Sequence, residues 1–285
     1  MGSEMCIRDS PGHGAPMTSP AVALTIAGSD SGGGAGIQAD LRAFGQMGAF
    51  GTSVITAVTA QNTVGVTDVH VIPTATVTAQ LDAVLDDLPV AATKTGMLAT
   101  ARLVALVAER AAAGALPRLV VDPVLVSATG HRLLEEEALA VDRERLLPHA
   151  LVATPNLEEA AVLVGRPLTT TEDAREAARE LTSLGTHYVV VKGGHLEGDH
   201  AIDLIATRDG DEHELSAPRI QTSNTHGTGC TFAAACAAGL ATGLDPLAAL
   251  EQAKRYVTRC IAGATGWRLG SGNGPLDHLA FTPQA

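Results

Sequence analysis

Hydrophobic and polar positions alternate along the chain with two different periods from residue 21 onward. Short runs rich in β-branched residues predict strands, and longer stretches with apolar positions three or four apart predict helices. Strands that alternate with helices in this way are typical of βαβ units. We therefore expect an α/β fold with a central, mostly parallel sheet that is flanked by helices on both faces.

The same pattern predicts the individual elements. Strands are expected at 21–28, 51–62, 91–97, 118–124, 150–156 and 187–195. Helices are expected at 35–48, 74–88, 99–114, 156–165 and 171–185, and two more begin at Gly227 and Asp245. At 201–220, Asp209 and Gly210 separate two strand-like runs and predict a β-hairpin late in the chain. Since no internal repeat or linker is visible, we expect one domain over 20–285, preceded at 1–19 by a turn-rich leader or a non-native start.

Composition and charge narrow the class of protein. Hydrophobic residues make up 46% of the chain but aromatic residues only 2%, so Ala, Val, Leu and Ile must fill the core, as in a parallel sheet under helices. The formal net charge is −12 and no run of Lys or Arg occurs, which argues against nucleic acid and acidic membranes as partners. The four cysteines form no C-x-x-C pair, so neither a zinc site nor a disulfide framework is expected, and a cytoplasmic location is the default.

Polar and glycine-rich segments follow most of the predicted strands. They read "GSDSGGGAG", "AQN", "KTGM", "VDPV", "TPNLEEA" and "VKGGH". In a parallel sheet the ligand site lies beyond the carboxyl ends of the strands. Together with "NTHGTGC" at 224–230, these segments are expected to converge on one rim of the sheet and to form a single site.

The glycine loop at 28–36 permits a different class of protein. Gly34, Gly36 and Ala39 fit the G-x-G-x-x-A pattern of dinucleotide-binding dehydrogenases. That class needs an acidic residue near the end of the second strand, and none occurs between Asp40 and Asp68. A dehydrogenase is therefore disfavoured.

Cys230 stands where the helix that follows Gly227 begins. The free amide groups and the macrodipole of a helix N-terminus favour an anion, and they can lower a thiol pKa from about 8.5 to between about 3.5 and 7.5. Cys230 is therefore a candidate base or nucleophile. The alternative is a small core residue, because free cysteine is among the most often buried residue types.

Lysines and acids at the strand ends are candidates for binding phosphate and metal. Lys94 and Lys192 stand beside glycine, where an ammonium could reach a phosphate, whereas Lys254 lies within a helix and is expected to be solvated. Asp122 directly follows an apolar run, and a nearby metal or cation would offset the burial of its carboxylate.

Two further polar positions each allow two interpretations. Asn156 and Glu159 face the same side of a helix start, either as a cap with a first-turn acid or as part of a magnesium site, while Glu158 points elsewhere. Gln61 is either a capped core amide or a group that reads a ligand, since its donor and acceptor match the edge of an aminopyrimidine.

Taken together, these motifs resemble the ribokinase-like superfamily and, within it, the hydroxymethylpyrimidine/phosphomethylpyrimidine kinases of thiamine biosynthesis. The matching segments are "TIAGSDSGGGAGIQADL", "SVITAVTAQNT", "KTGML", "VVDPV", "TPNLEEA", "VKGGH" and "NTHGTGCTF", in the family's order. The resemblance implies phosphorylation of 4-amino-5-hydroxymethyl-2-methylpyrimidine by ATP with Mg²⁺, followed by a second transfer that gives the diphosphate. It also implies a homodimer.

The resemblance also implies a role for each candidate residue. It assigns Gln61 to the aminopyrimidine, with Asp40, Gly28 and Met97 around it, and Cys230 to the role of base. Magnesium and its water shell would be held by Asp122 and Glu159, and ATP by Lys192 and Asn156. An anion hole of backbone amides would be formed by Gly227, Thr228 and Gly229. Small departures from the family's pattern are Gly32 and Leu125.

Two rivals remain open at this point. Pyridoxal kinase is a superfamily relative whose substrate also carries a hydroxymethyl group. A non-catalytic pyrimidine-binding regulator would be expected to lack Cys230, Lys192 or Asp122, and all three are present.

Overall fold

The computed structural model describes residues 19–125, 136–193 and 198–281, so the leader expected at 1–19 and the end of the strand expected at 187–195 lie largely outside the described residues. The strands are β1 (Val22–Asp30), β2 (Phe50–Gln61), β3 (Val66–Val71), β4 (Val90–Thr95), β5 (Val120–Val121), β6 (Val152–Ala153), β7 (Tyr188–Val191), β8 (His200–Thr207) and β9 (Glu212–Pro218). They form one sheet in the order β3-β2-β1-β4-β5-β6-β7-β8-β9. The strands from β2 to β7 in this order are parallel, and antiparallel strands flank them at both edges. The prediction of a mostly parallel sheet is confirmed.

Helices cover both faces of the sheet. They are α1 (Gly36–Gln46), α2 (Thr74–Leu85), α3 (Ala101–Ala112), α4 (Glu136–Val141), α5 (Leu157–Val164), α6 (Thr171–Ser183), α7 (Thr228–Ala241) and α8 (Pro246–Ala264). A π-helical turn at Asp142–Leu146 and a 3₁₀ turn at Leu147–His149 follow α4, and the sequence pattern did not predict any of these three segments. Within the described ranges, no helix combines the length and apolarity that crossing a membrane requires.

Alternating residues of the central strands build two cores. In β5, Val120 packs in the core under α1, α7 and α8, while its neighbour Val121 packs in the core under α2, α3, α5 and α6. Successive side chains of a strand point to opposite faces, so a strand buried on both sides reads as a continuous apolar run. The all-apolar runs at 119–121 and 189–191 have this cause.

Two central strands are shorter than the sequence pattern predicts. β5 and β6 contain two residues each, and Pro123 and Pro155 follow them closely. Proline has no N–H to donate to a strand ladder, so the pairing stops there. As a result Asp122 and Asn156 stand at the carboxyl rim rather than inside the sheet.

The two edges of the sheet differ in how well the sequence predicts them. The hairpin expected at 201–220 is confirmed as β8 and β9, with Gly210 at a φ of +93° in the turn. The short edge strand β3 was missed. It pairs with β2 after a turn in which the Asn62 side chain accepts hydrogen bonds from the amides of Val64 and Gly65.

Candidate active site

A cavity of about 830 Å³ opens at the carboxyl rim of the sheet. Of the residues predicted for the site, only Asp40 is not part of the cavity wall. The predicted residues that line the cavity are Gly28, Gln61, Met97, Asp122, Asn156, Glu159, Lys192, Gly227, Thr228, Gly229 and Cys230. These residues come from distant parts of the chain, and each stands at or near the carboxyl end of a strand or the start of a helix. The parallel sheet thus brings them together around one cavity.

The turn before α7 packs tightly against the glycine loop. Gly227 has a φ of +87°, and a Cβ atom there would lie 1.9 Å from the carbonyl oxygen of Gly34. Any side chain at this position would be strained and would collide with backbone. The absence of a side chain at Gly227 therefore lets the start of α7 lie against the glycine loop, at the wall of the cavity.

A charged lysine lies beside this first turn. A Cβ atom on Gly229 would lie 3.1 Å from Nζ of Lys192, and that ammonium donates a hydrogen bond of 3.0 Å to Oδ1 of Asp122. Burial alone would lower the pKa of Lys192, but the nearby Asp122 and Glu159 raise it above its ordinary value. The ammonium and the amides at the helix N-terminus together form a place that suits a phosphate group.

Two carboxylates, those of Asp122 and Glu159, lie close to Lys192. Asp122 also accepts a hydrogen bond of 3.1 Å from Oγ1 of Thr154. Glu159 forms a capping box with Asn156, in which its carboxylate accepts from the Asn156 amide at 2.8 Å and the Asn156 side chain accepts from the Glu159 amide at 2.9 Å. The cap interpretation of this pair is thus confirmed, and a magnesium role for Glu159 would be additional to the cap. Burial raises the pKa of Glu159 to about 7, with Lys192 lowering it and Asp122 raising it further.

The two carboxylates fit a magnesium ion in their chemistry. Across the described ranges, no three His, Cys, Asp or Glu side chains gather into a metal-binding cluster. Mg²⁺ commonly takes only one or two protein carboxylates, together with waters and substrate phosphates. Asp122 and Glu159, which line the same cavity as Lys192, match that requirement.

Gly28, Met97 and Gln61 line another part of the cavity wall. A Cβ atom on Gly28 would lie 2.6 Å from Cε of Met97, so the absence of a side chain leaves room for the methionine against β1. The side-chain oxygen of Gln61 accepts a hydrogen bond of 3.2 Å from Oγ1 of Thr59. An apolar side chain beside an amide suits a flat ring with a polar edge.

Two residues in this part of the cavity wall, Asp30 and His226, were not predicted from the sequence. Oδ2 of Asp30 lies 2.9 Å from Nε2 of His226 and accepts hydrogen bonds from the amides of Gly34 and Ala35. Burial would raise the pKa of Asp30, but His226 and, to a smaller extent, the amides of Ala35 and Gly32 lower it below its ordinary value. Nε2 of His226 also lies 3.5 Å from Nε2 of Gln61. Both residues stand inside the glycine-rich motifs, where a polar side chain among glycines was the available signal.

The positions of Asp40 and Lys94 differ from their predicted roles at the pyrimidine and at a phosphate. Asp40 is fully buried beneath the cavity wall, where it accepts hydrogen bonds from Lys94 at 3.0 Å and from Thr25 at 2.6 Å, so it does not face a bound ring. Lys94 is equally buried, and although burial would lower its pKa, Asp40 raises it. Its charge is thus matched by Asp40 rather than held ready for a phosphate.

Lys254 was expected to be solvated, and this is wrong. Only 8% of the residue is exposed, and its Nζ lies 2.8 Å from Oδ2 of Asp203. Both residues line the cavity. Glu158, in contrast, is exposed as expected.

The lowered pKa expected for Cys230 is also wrong. Burial raises the pKa of the thiol to about 11; Lys94 lowers it, while Asp40 and Asp122 raise it. The amide of Gly36 hydrogen-bonds the sulfur and favours the thiolate, but burial outweighs this contribution. Cys230 is therefore a thiol at neutral pH in the free protein.

Comparison with known proteins assigns the chain to a family. The family described as phosphomethylpyrimidine kinase matches residues 30–277. A hydroxymethylpyrimidine/phosphomethylpyrimidine kinase of Streptomyces coelicolor is 51% identical over 263 residues, which cover 92% of this chain and 96% of the relative.

Two solved structures share the fold. Pyridoxal kinase of Bacillus subtilis, in an ADP complex, is similar with a TM-score of 0.84 and 39% identity over 91% of this chain and 98% of that one. Phosphomethylpyrimidine kinase of Clostridium difficile is similar with a TM-score of 0.73 and 38% identity over 83% of this chain and 97% of that one. The fold is thus ribokinase-like, and the chain belongs to the phosphomethylpyrimidine kinase family.

Proposed function

We propose that the protein phosphorylates hydroxymethylpyrimidine with ATP and then phosphorylates the resulting monophosphate to the diphosphate. In the first transfer the hydroxymethyl oxygen bonds to the γ-phosphorus, the bond from that phosphorus to the β–γ bridging oxygen breaks, and ADP leaves. The alcohol proton passes to the sulfur of the Cys230 thiolate, which is the minor form at neutral pH. In the second transfer an oxygen of the monophosphate attacks the γ-phosphorus of another ATP in the same way.

The observation that carries this proposal is the position of Cys230 within the cavity. Cys230 belongs to the first turn of α7, whose amides, with the nearby Lys192, suit a phosphate. Gln61 and Met97, which suit a ring, line the same cavity. An alcohol held next to Cys230 would therefore meet a phosphoryl group held by the amides. Phosphoryl transfer depends mainly on such positioning and on electrostatic stabilisation.

Cys230 needs little thiolate for this role. With a pKa of about 11 only a small fraction of the thiol is ionised at neutral pH. The transition state of phosphoryl transfer is loose, which means that the bond between the attacking oxygen and the phosphorus is hardly formed in it. The alcohol can therefore keep its proton until late in the reaction. A sparsely populated base in the right place is therefore sufficient.

Magnesium is the metal that we propose for the transfer. Asp122 and Glu159 would hold it with its waters, while Asn156 would contribute to the ATP site from the start of α5. The ion, when bound, neutralises charge on the phosphates as they react. Lys192 and the amides of Gly227 and Gly229 would then stabilise the transferring phosphoryl group from the protein side. The amide of Thr228 donates to the carbonyl oxygen of Thr225 at 3.2 Å in the free protein, so it would join them only by exchanging that partner for the phosphate.

Two alternative functions can be weighed for the same cavity. Phosphorylation of pyridoxal is the second candidate, because pyridoxal kinase of Bacillus subtilis shares the fold with a TM-score of 0.84. A non-catalytic regulator is disfavoured, because Cys230, Lys192 and Asp122 all line the cavity.

We further propose a homodimer that works in the cytoplasm. Apolar side chains of Phe50, Val58 and Val64 are exposed on β2 and just after it, which suits contact with a second copy. Cys230, Cys236 and Cys260 are free thiols, which suits a reducing compartment. Light scattering in solution tests the dimer.

Removal of the metal and of Lys192 tests the phosphotransfer. Activity should vanish with EDTA and return with Mg²⁺, and the activity of Lys192→Ala should fall steeply, because a protein with a net charge of −12 holds ATP only through local positive groups. Turnover that persists without metal would overturn the proposal.

A further inference from the structure

The three lysines of the chain share one arrangement. Each lies on the wall of the cavity and forms an ion pair with an aspartate, in the pairs Lys94–Asp40, Lys192–Asp122 and Lys254–Asp203. The first pair lies near Cys230 and the second belongs to the phosphate site. The third has no role in the function proposed so far.

Asp203 connects three elements through its two carboxylate oxygens. Oδ2 accepts a hydrogen bond of 2.8 Å from Lys254 on α8, and Oδ1 accepts one of 3.1 Å from the amide of Gly193. Asp203 itself belongs to β8. Gly193 directly follows Lys192, so the carboxylate fixes the backbone immediately after the phosphate-binding lysine.

Sheet order places this pair at the end of the cavity away from the pyrimidine. Gln61 and Gly28 belong to β2 and β1, whereas Asp203 belongs to β8, with β4 to β7 between them. Val257 and Ile261, one and two turns after Lys254 on α8, line the same end. A nucleotide whose phosphates lie at Lys192 would extend towards these residues.

We propose that Asp203 and Lys254 are a positioning pair for nucleotide binding. Lys254 holds the carboxylate of Asp203 in its orientation, and Asp203 in turn holds the Gly193 amide and thereby Lys192. A buried carboxylate without its cation would be costly, which explains why both partners are needed. This inference rests on the proposed function, because it assigns the pair to the ATP end of the site.

Two double variants separate positioning from packing. Asp203→Leu/Lys254→Met replaces the ion pair with apolar side chains and removes the acceptor for Gly193, while Asp203→Asn/Lys254→Met removes both charges but keeps that acceptor. Replacing a buried ion pair by uncharged groups is often neutral for stability, so both variants are expected to fold, and thermal unfolding checks this. Glu212→Gln is the matched control. Glu212 lies on the same hairpin as Asp203 but outside the cavity, and the substitution removes its ion pairs to Arg175 and Arg179 on α6.

Calorimetry with a non-hydrolysable ATP analogue and Mg²⁺, and separately with hydroxymethylpyrimidine, gives the test. The Leu/Met variant should bind the analogue about tenfold more weakly, the usual effect of losing a hydrogen bond to a charged group, while the Kd for the pyrimidine stays unchanged. The Asn/Met variant should recover most of the analogue affinity, and Glu212→Gln should match wild type.

Three results would overturn the inference. Wild-type analogue affinity in the Leu/Met variant would mean that the pair only packs the hairpin against α8. Equal loss in both double variants would mean that the Lys254 charge acts on the nucleotide directly, and equal loss of pyrimidine affinity would mean a general distortion. Failure of the wild-type protein itself to bind the analogue would instead overturn the proposed function.

Discussion

The chemistry of Cys230 depends on two opposing influences on one sulfur atom. The Gly36 amide and Lys94 favour the thiolate, whereas burial and two nearby aspartates favour the thiol. A helix N-terminus such as that of α7 also favours the thiolate. Burial prevails and raises the thiol pKa to about 11. The ionised fraction should therefore grow about tenfold for each pH unit between pH 7 and pH 9.

Replacing Cys230 should affect the two transfers unequally. The first acceptor is an alcohol that must lose a proton, but the second is a phosphate whose last pKa is about 6, so it is already ionised. Cys230→Ala should slow the first transfer by about 10²–10⁴-fold, the usual contribution of a general base, and the second far less. Single-turnover assays with each acceptor measure this. Cys230→Asp should restore part of the first rate.

The buried Cys236 provides the control for this substitution. It packs within α7 away from the cavity, so Cys236→Ala should leave both rates nearly unchanged. If Cys230→Ala slows both transfers equally, the sulfur positions the substrate and is not the base. A first-transfer rate that does not rise between pH 7 and pH 9 would contradict the same assignment.

Gln61 is the amide best placed to read a pyrimidine edge. It lies on the cavity wall beside Thr59 and His226. Gln61→Leu should raise KM for the pyrimidine strongly and leave KM for ATP nearly unchanged, because a site that hydrogen-bonds its substrate loses discrimination when the pairing is lost. Steady-state kinetics with each substrate varied in turn measures the effect. Equal changes in both constants would remove Gln61 from the pyrimidine end.

At the scale of elements, the π-helical turn Asp142–Leu146 contains a buried acid. Within the described part of the chain, Oδ2 of Asp142 has no hydrogen-bond partner, and burial raises its pKa to about 7. The folded state thus binds this proton more tightly than the unfolded state, whose Asp pKa is about 3.9. The stability that results is present at low pH and is lost as the pH rises towards and through 7.

Asp142→Asn should remove this pH dependence. Between pH 5 and pH 8 the free energy of unfolding of wild type should fall by roughly 3 kcal/mol more than that of the variant. Denaturant unfolding at both pH values measures the difference, and exposed Asp87→Asn serves as the control. An Asp142→Asn variant that follows wild type at both pH values would show that Asp142 is ionised in the folded protein.

Elements with a strong apolar period were predictable, and weakly patterned ones were not. The buried parallel strands and the hairpin at Gly210 follow from local sequence alone. β3 is short and half-exposed, with polar residues between its valines, so its pairing with β2 depends on a turn at Asn62 rather than on its own pattern. α4 and the turns after it likewise lack a clear period.

At the scale of the whole molecule, topology explains why most site residues were predictable. Residues that follow parallel strands must meet at one rim, so the positions of Asp122, Asn156 and Lys192 after apolar runs were enough to group them. Contacts between distant segments could not be predicted this way. Asp30 pairs with His226 and Asp203 with Lys254, and periodicity indicates only that a segment is buried, not which segment it meets.

The distribution of charge over the whole molecule bears on how an acidic protein can bind a polyanion such as ATP. The net charge of −12 is spread over the molecule, while the positive groups at the cavity, Lys192 and the N-terminus of α7, are local and partly buried. Buried charges are screened less by salt and solvent than exposed ones. Local groups can therefore bind phosphate against an unfavourable overall field.

A competition assay between the two alcohols measures which substrate the protein prefers. Wild-type protein is incubated with ATP, Mg²⁺ and equal amounts of hydroxymethylpyrimidine and pyridoxal, and the products are followed by mass spectrometry. We expect the pyrimidine monophosphate to appear first and the diphosphate to follow, with a higher kcat/KM for the pyrimidine than for pyridoxal. Phosphorylation of pyridoxal alone, or no phosphorylated pyrimidine at all, would contradict the proposed function.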